Sequence, residues 1–372
     1  MNTIFNDQAF MAKALRLAKK GLYTTRNNPK VGCVIVKNNS IIGQGFHAYP
    51  GEPHAEINAL NNVKGSAENA TVYVTLEPCA HHGKTPPCID SLIKAQVARV
   101  VVAMQDPNPL VNGKGLLHLQ SNNIKTTSNI MASEAAALNK GFVQRCTKNR
   151  PYITVKSAIS LDGKTALKSG ESKWITSEAA RKDVQKLRAR SCAILTGIET
   201  ILLDDPSLNV RIKQSELGIE KEIQQPIRII LDTQLRITQS AKILHEAGEV
   251  IIYTCSNDDK KLSALNDLNI EVVQIENDET GISLKSVMTD LSSREINEVL
   301  VEAGSTLVGS LLRVKLVDEM IVYMAPHIMG SEALNMASIS VIEAMQDRIH
   351  FKIQDVRRIG PDLKITMNSK FQ

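Results

Sequence analysis

The chain has 372 residues, with Lys+Arg 44 against Asp+Glu 39 for a formal charge of +5, and is 43% hydrophobic and 22% charged. That is enough apolar material for a full core, which excludes disorder over most of the length. So small a net charge, with only 6 Phe, 6 Tyr and 1 Trp, also argues against a dedicated nucleic-acid binder or a base-stacking platform.

At the start of the chain, Phe10, Ala14 and Leu17 recur at helical spacing, Asp7 suits the N-terminal end of such a helix, and Gly21 stops it. Asp7 and the interspersed lysines take the place of the unbroken apolar stretch a signal peptide needs. No apolar run of about 18 residues occurs, so no transmembrane helix is expected and the default compartment is the cytoplasm. Six cysteines are too few for a disulfide scaffold, and a cytoplasmic chain keeps its thiols reduced, so clustered cysteines point to metal or catalysis.

The first half alternates strand and helix signals. Residues 31–36 form a β-branched run, Asn38, Asn39 and Ser40 turn it, and residues 41–45 return as a hairpin partner. Residues 55–63 read as a helix, 71–75 as a buried strand, 89–95 as a helix and 99–103 as a strand, the pattern of a three-layer α/β unit. The polar segment 147–151 ends in Pro151, which cannot continue a helix, so the boundary falls near residue 148, giving domains 1–148 and 149–372. In the second half, strands are expected at 152–157, 193–196, 227–231, 249–253, 298–302 and 319–324, a helix at 177–190, and polar loops at 213–225 and 256–260. No internal repeat is evident.

Three pieces in the first half belong together. His54-Ala55-Glu56 opens a predicted helix, Glu77-Pro78-Cys79 follows a strand, and Cys88 comes nine residues after Cys79. One imidazole and two thiolates are a good zinc set with a fourth position open for water. Zinc brings water ionisation toward neutrality, and a Glu two residues from the ligating His, near the metal but not bound to it, can shuttle protons. His-x-Glu with Pro-Cys-x-x-Cys is the zinc deaminase pattern. This chain departs from it: eight residues, Ala80 to Pro87, separate the cysteines, and among them His81 and His82 are rival ligands. A lone Cys is most often a small buried hydrophobe, the reading given to Cys33, Cys146, Cys192 and Cys255.

The second half has no Gly-x-Gly-x-x-Gly after a strand. It has instead Val301 to Ser310, VEAGSTLVGS, after a strand signal. Gly304 allows close backbone approach, Ser305 and Thr306 can cap a helix over Leu307–Leu312, and the N–H groups of such a helix start suit a phosphate. Such turns are also common without a ligand. On spacing, Arg188 is one of several charges on a solvated helix face with Arg181, Lys182, Lys186 and Arg190. A lone Trp is usually core, although the polar neighbours of Trp174 also fit a pocket rim. Glu302 fits a helix-capping carboxylate or a sugar-hydroxyl acceptor, and Asp204 and Asp205 before Pro206 fit a turn.

The segments Asn28–Val36 (NPKVGCVIV), His54–Glu56 and Thr75–Cys88 (TLEPCAHHGKTPPC) closely resemble the RibD-type bifunctional deaminase–reductases of riboflavin biosynthesis, whose own variant is the long spacer between the cysteines. The resemblance continues through the segments beginning at Lys156, Ser172, Leu187, Ile194, Thr200 and Val301, and so covers nearly the whole chain. It implies an N-terminal cytidine-deaminase-like domain and a C-terminal dihydrofolate-reductase-like domain. It implies zinc on His54, Cys79 and Cys88, Glu56 as proton shuttle, and Asn28 on the pyrimidine, although Asn28 also fits a turn before Pro29. It implies NADPH on Ala158, Trp174, Thr200, Asp204, Thr233 and the loop Gly304, Ser305, Thr306, Leu307, Val308, Gly309 and Ser310. It implies a phosphorylated pyrimidine on Ser172, Arg188, Leu208, Arg211 and Glu302, with Lys156 a catalytic or anchoring cation. The two arginines offer planar forks suited to phosphate.

The expected reactions are hydrolytic deamination of 2,5-diamino-6-(5-phosphoribosylamino)pyrimidin-4(3H)-one, then NADPH-dependent reduction of its ribosyl group to ribityl. The expected partners are this substrate and a second copy of the chain, with neither nucleic acid nor membrane. The rival readings are a zinc deaminase of another pyrimidine with a C-terminal binding domain, and a non-catalytic zinc-stabilised RNA-binding module, which the charge and aromatic content disfavour.

Overall fold

A computed structural model of the chain describes residues 2–80, 87–109, 111–278, 281–339 and 341–371. It divides into two compact units, Met1–Asn149 and Arg150–Gln372.

The first unit is built on a five-stranded sheet of order Ser40–Phe46, Gly32–Lys37, Thr71–Leu76, Arg99–Met104 and Lys125–Thr127. The hairpin β1 (Gly32–Lys37) and β2 (Ser40–Phe46) turns through Asn38 and Asn39, both at positive φ, the geometry that matches strand twist in a two-residue turn. β3 (Thr71–Leu76) pairs antiparallel with β1, and β4 (Arg99–Met104) and β5 (Lys125–Thr127) continue in parallel. Successive residues of β1 face opposite sides. Gly32 lies against Ala14 of α1 (Asn2–Ala18), whereas Cys33 lies near Glu56 of α2 (Ala55–Asn61), so the sheet is sandwiched between helices. A Cβ on Gly45 of β2 would come within 2.4 Å of the Ala59 nitrogen, so only glycine lets α2 sit this close to the strand.

Asp7 departs from its expected role at the end of the first helix. It lies inside α1, is buried, and holds Arg99 by two hydrogen bonds of 3.0 and 2.8 Å and Tyr73 by one of 2.8 Å, tying the helix to β3 and β4.

The second unit carries a nine-stranded sheet. Its order is Glu271–Gln274, Val250–Thr254, Ile227–Leu231, Ala193–Gly197, Glu298–Val301, Tyr152–Ile159, Glu319–Met324, Asp362–Ser369 and Phe351–Ile359. The first seven run parallel and the last two form an antiparallel hairpin. The central strands read as continuous apolar runs because both faces are covered, one core holding Val155, Leu195 and Val299 and the other Ile194, Ile230 and Leu300. Two expected loops contain helix: Gln214–Leu217 closes on Gly218 at positive φ, and Asp258 caps Asp259–Asn266 by accepting from the Lys260 and Lys261 N–H groups. No described helix is long and apolar enough to cross a membrane.

Candidate metal centre and candidate reductase site

In the first unit the metal-site residues converge from three elements. His54 is the N-cap residue of α2, Cys79 follows β3, and Cys88 is the first residue of α3 (Cys88–Lys94). The His54 Nδ1 lies 3.1 Å from Cys88 Sγ and 3.6 Å from Cys79 Sγ, and the Cys88 N–H donates to Cys79 Sγ at 3.3 Å. The three donor atoms all lie within 4.8 Å of one another. One nitrogen and two sulfurs at this spacing fit zinc, so the chemistry of the donor set agrees with the sequence pattern. The rival ligands His81 and His82 lie outside the described residues.

The Cys79 thiol is pushed down to about 4, chiefly by its hydrogen bond with Cys88 and with help from His54, while Cys88 is pushed up by the same bond. His54 is raised, first of all by Cys79. Glu56, buried in the first turn of α2, is pushed up to about 7 by burial and then by the Cys79 charge. Its carboxyl also meets Cys88, which places a proton-exchanging group beside the donor set.

Asn28 is half-buried and its Nδ2 lies 2.9 Å from His47 Nε2. The other ring nitrogen of His47 faces the Pro53 carbonyl at 3.4 Å. A carbonyl only accepts, so the proton belongs on Nδ1 and Nε2 accepts from Asn28. The His47 ring stands edge-on to His54 at 5.5 Å, and burial lowers its basicity. The sequence reading missed His47; its position at the end of β2, seven residues before His54, was the available signal.

In the second unit the candidate residues fall into two bonded groups, one of Lys156, Arg188, Glu302 and Arg211 and one of Ser172 and Asp204, and Glu302 and Thr233 follow the carboxyl ends of parallel strands, where open α/β sheets bind ligands. Glu302 follows Glu298–Val301, and Lys156 lies on the adjacent Tyr152–Ile159. Arg188 is not on a solvated helix face. It is buried at the end of the helix Glu178–Arg190, where its Nε and Nη2 donate to the two Glu302 oxygens at 2.6 and 3.1 Å. Lys156 Nζ reaches the same carboxylate at 3.2 Å. Burial pushes Glu302 up, but Arg188 and Lys156 outweigh it and hold the carboxyl at about 2. A long-range pair of this kind leaves no trace in helix periodicity.

Asn209, which the sequence reading passed over, connects the two arginines. Its main-chain oxygen accepts from Arg188 Nη1 and its Oδ1 from Arg211 Nη1, both at 3.0 Å, and its Nδ2 donates to Glu246 at 2.8 Å. Leu208 beside it is buried at positive φ. Ser172 Oγ donates to Asp204 at 3.3 Å, joining a candidate substrate residue to the last residue of the helix Ile198–Asp204, which also carries Thr200. Ala158 lies on the same strand as Lys156, and Thr233 follows Ile227–Leu231. Trp174 is no core residue: it is 71% exposed, with the Arg181 guanidinium 4.3 Å from its ring centroid.

The expected helix is present but starts two residues early, spanning Ser305–Arg313: Ser305 and Thr306 lie inside it instead of capping it, and Gly304, which has no side chain to offer, is the N-cap. Where Gly304 would carry a Cβ there is open space, so the first-turn N–H groups around Ser305, Thr306 and Leu307 are approachable, a cradle that fits a dinucleotide phosphate. Ser310 is half-buried, but Val308 and Gly309 face inward: Val308 is in the core, and a Cβ on Gly309 would strike the Ser338 oxygen at 1.9 Å.

Comparison with known proteins matches both units to described families. Residues 5–104 match the cytidine and deoxycytidylate deaminase zinc-binding region, and residues 151–365 match the RibD C-terminal domain. The riboflavin biosynthesis protein RibD of Escherichia coli (strain K12) is 46% identical over 362 residues, covering 96% of this chain and 98% of that protein. The RibD of Haemophilus influenzae is 44% identical over 369 residues, covering 98% of each. Among solved structures, Acinetobacter baumannii RibD (form 1) superposes with a TM-score of 0.91 at 44% identity over 99% of both chains. The diaminohydroxyphosphoribosylaminopyrimidine deaminase/5-amino-6-(5-phosphoribosylamino)uracil reductase of Thermotoga maritima gives 0.84 at 32% identity, over 98% of this chain and 99% of that one.

Proposed function

The chain belongs to the RibD family of bifunctional deaminase–reductases of riboflavin biosynthesis, and from that premise we propose which of its residues carry each activity. The match across residues 151–365 leaves no place for the rival in which the second half is only a binding domain.

The first unit performs the hydrolytic deamination. His54, Cys79 and Cys88 would hold zinc, which when bound supplies a Lewis acid that brings water ionisation toward neutrality. Glu56 accepts a proton from water and gives it to a ring nitrogen, where it stays, and then carries the second water proton to the departing 2-amino group. Ammonia leaves, water oxygen takes its place, and the pyrimidinone becomes the uracil. Asn28, oriented by His47, contacts the ring. The observation that carries this reading is the buried Glu56 carboxyl next to three donor atoms within 4.8 Å of one another.

The second unit performs the reduction. NADPH, when bound, supplies hydride for C1′ of the ribosylamino group in its ring-opened form. Ala158, Trp174, Thr200, Asp204, Thr233 and the helix start at Gly304, Ser305, Thr306 and Leu307 would seat it. Glu302, fixed as an anion, accepts from sugar hydroxyls, and Lys156 beside it anchors the substrate and supplies the cationic side of the site. Ser172, Leu208, Arg188 and Arg211 line the substrate side, with the guanidinium groups suited to its phosphate. The unit's task is to place the two reacting carbons together.

The same reading places the enzyme in the cytoplasm and pairs two copies through the second unit, whose last sheet strand, Phe351–Ile359, exposes Ile353 and Val356. Metal analysis with an ammonia assay tests the first site. Cys88→Ser should lose zinc and ammonia release while NADPH oxidation on the deaminated substrate continues. A Cys88→Ser chain with full zinc would contradict the ligand assignment.

A further inference from the structure

Glu77 has no role in the chemistry above, yet it is buried two residues before Cys79. A buried carboxylate needs strong partners or it destabilises the fold. The structure gives it four main-chain N–H groups. Oε1 accepts from Gly115 at 2.9 Å and Leu116 at 3.3 Å, and Oε2 accepts from Gly113 at 2.9 Å and Asp106 at 3.2 Å. Three of these groups belong to the start of α4 (Lys114–Ser121), where an anion is favoured by the unpaired N–H groups and the helix dipole.

The main chain is held at the same point. The Glu77 N–H donates to the Met104 carbonyl at 3.0 Å, extending the β3–β4 ladder past its last paired residues. Pro78 follows with its φ fixed by the ring, and its carbonyl lies against α4: a Cβ on Gly115 would meet the Pro78 oxygen at 2.4 Å and Glu77 Oε1 at 3.1 Å. Cys79 is thus delivered from a segment clamped through both backbone and side chain. On its other side it is held by α3, whose Ile89 N–H reaches the Cys79 carbonyl at 3.5 Å and whose Cys88 N–H reaches Sγ at 3.3 Å.

We propose that Glu77 is a positioning residue for the metal centre: by locking the Glu77–Pro78–Cys79 segment onto the start of α4, it sets the place of the Cys79 thiolate and so the rate at which the site releases its metal. The proposal rests on the assignment of Cys79 as a zinc ligand. Groups that orient metal ligands change affinity by about 10–100-fold when removed.

The test uses the full-length zinc-loaded chain and its Glu77→Gln and Gly115→Ala variants. Glu77→Gln keeps the size but turns an NH2 toward N–H donors; Gly115→Ala pushes on the same junction from the helix side. Zinc release to a chromogenic chelator should be about tenfold faster or more in both. In the cobalt-substituted proteins the thiolate-to-metal absorption should shift, while NADPH oxidation on the deaminated substrate stays unchanged. Should Glu77→Gln not fold, Glu77→Asp, which keeps the charge on a shorter reach, carries the same measurements. Folded variants with wild-type release rates and cobalt spectra would overturn the proposal even if their melting temperatures fell, because Glu77 would then only cap α4. A wild-type chain that holds no zinc would overturn the ligand assignment and this proposal together.

Discussion

Glu56 in the first unit and Glu302 in the second are both enclosed, 3% and 8% exposed, yet their carboxyls are driven in opposite directions. Burial and the Cys79 charge push Glu56 up to about 7, whereas Arg188 and Lys156 hold Glu302 down to about 2. Burial is common to both, so the neighbours decide. A buried carboxyl beside the donor set can take and return a proton; a carboxylate held by two cations is a permanent charge that fixes position. The two units divide proton transfer and placement of charged groups between them.

The largest expected effect comes from breaking the Glu302 arrangement. Glu302→Ala leaves Arg188 enclosed without its carboxylate, which should cost about 3–5 kcal/mol. Thermal or denaturant unfolding followed by circular dichroism should report it, and NADPH oxidation should fall while zinc content stays at the wild-type level. Wild-type stability in that variant would remove the fixed-anion side of the comparison.

The opposite shifts predict opposite pH dependences, each worth at most about 3 kcal/mol. Glu302 has its folded value below its unfolded one, so its contribution is complete above about 4.5 and is lost as pH falls toward 2. Glu56 has its folded value above its unfolded one, so in the metal-free chain stability is highest below about 4.5 and declines as pH rises to about 7. Glu302→Gln should flatten the acid limb and Glu56→Gln the limb between about 4.5 and 7. Denaturant titrations across pH read both, and slopes of the same sign would break the contrast.

A smaller effect sharpens the placement side. Asn209→Ala removes the side-chain oxygen that holds Arg211 but keeps the main-chain bond to Arg188. One such hydrogen bond is worth about 1 kcal/mol, so KM for the phosphorylated substrate should rise about fivefold with kcat nearly unchanged. Steady-state kinetics of the reductase reaction distinguishes this from a fall in kcat, which would assign Asn209 to the chemistry.

The first unit was the more legible of the two because its ligands lie on short, strongly patterned pieces. His54 starts a helix and Cys79 follows a β-branched strand, so local sequence already places both. What stayed hidden depends on distant partners. Glu77 looked like part of a motif, and only the fold shows α4 resting on its carboxylate. Asp7 looked like a helix-end residue because its true partner, Arg99, is remote in sequence. Arg188 carries the same lesson: helix spacing put it among exposed charges, whereas Glu302, brought in by strand pairing, buries it. The closing hairpin was not anticipated: Phe351–Ile359 loses its alternation at a register shift between Ile353 and Asp355, whereas Asp362–Ser369 does alternate, with Leu363, Ile365 and Met367 apolar, and was passed over.

The central claim is that the chain holds two separable active sites with Glu56 serving only the first. The direct measurement is ammonia release and NADPH oxidation on one preparation of Glu56→Gln, with the diaminopyrimidinone as substrate for the first assay and its deaminated product for the second. The account predicts that ammonia release is lost and NADPH oxidation on the deaminated substrate runs at the wild-type rate. Loss of both activities in a chain that is still folded would contradict it.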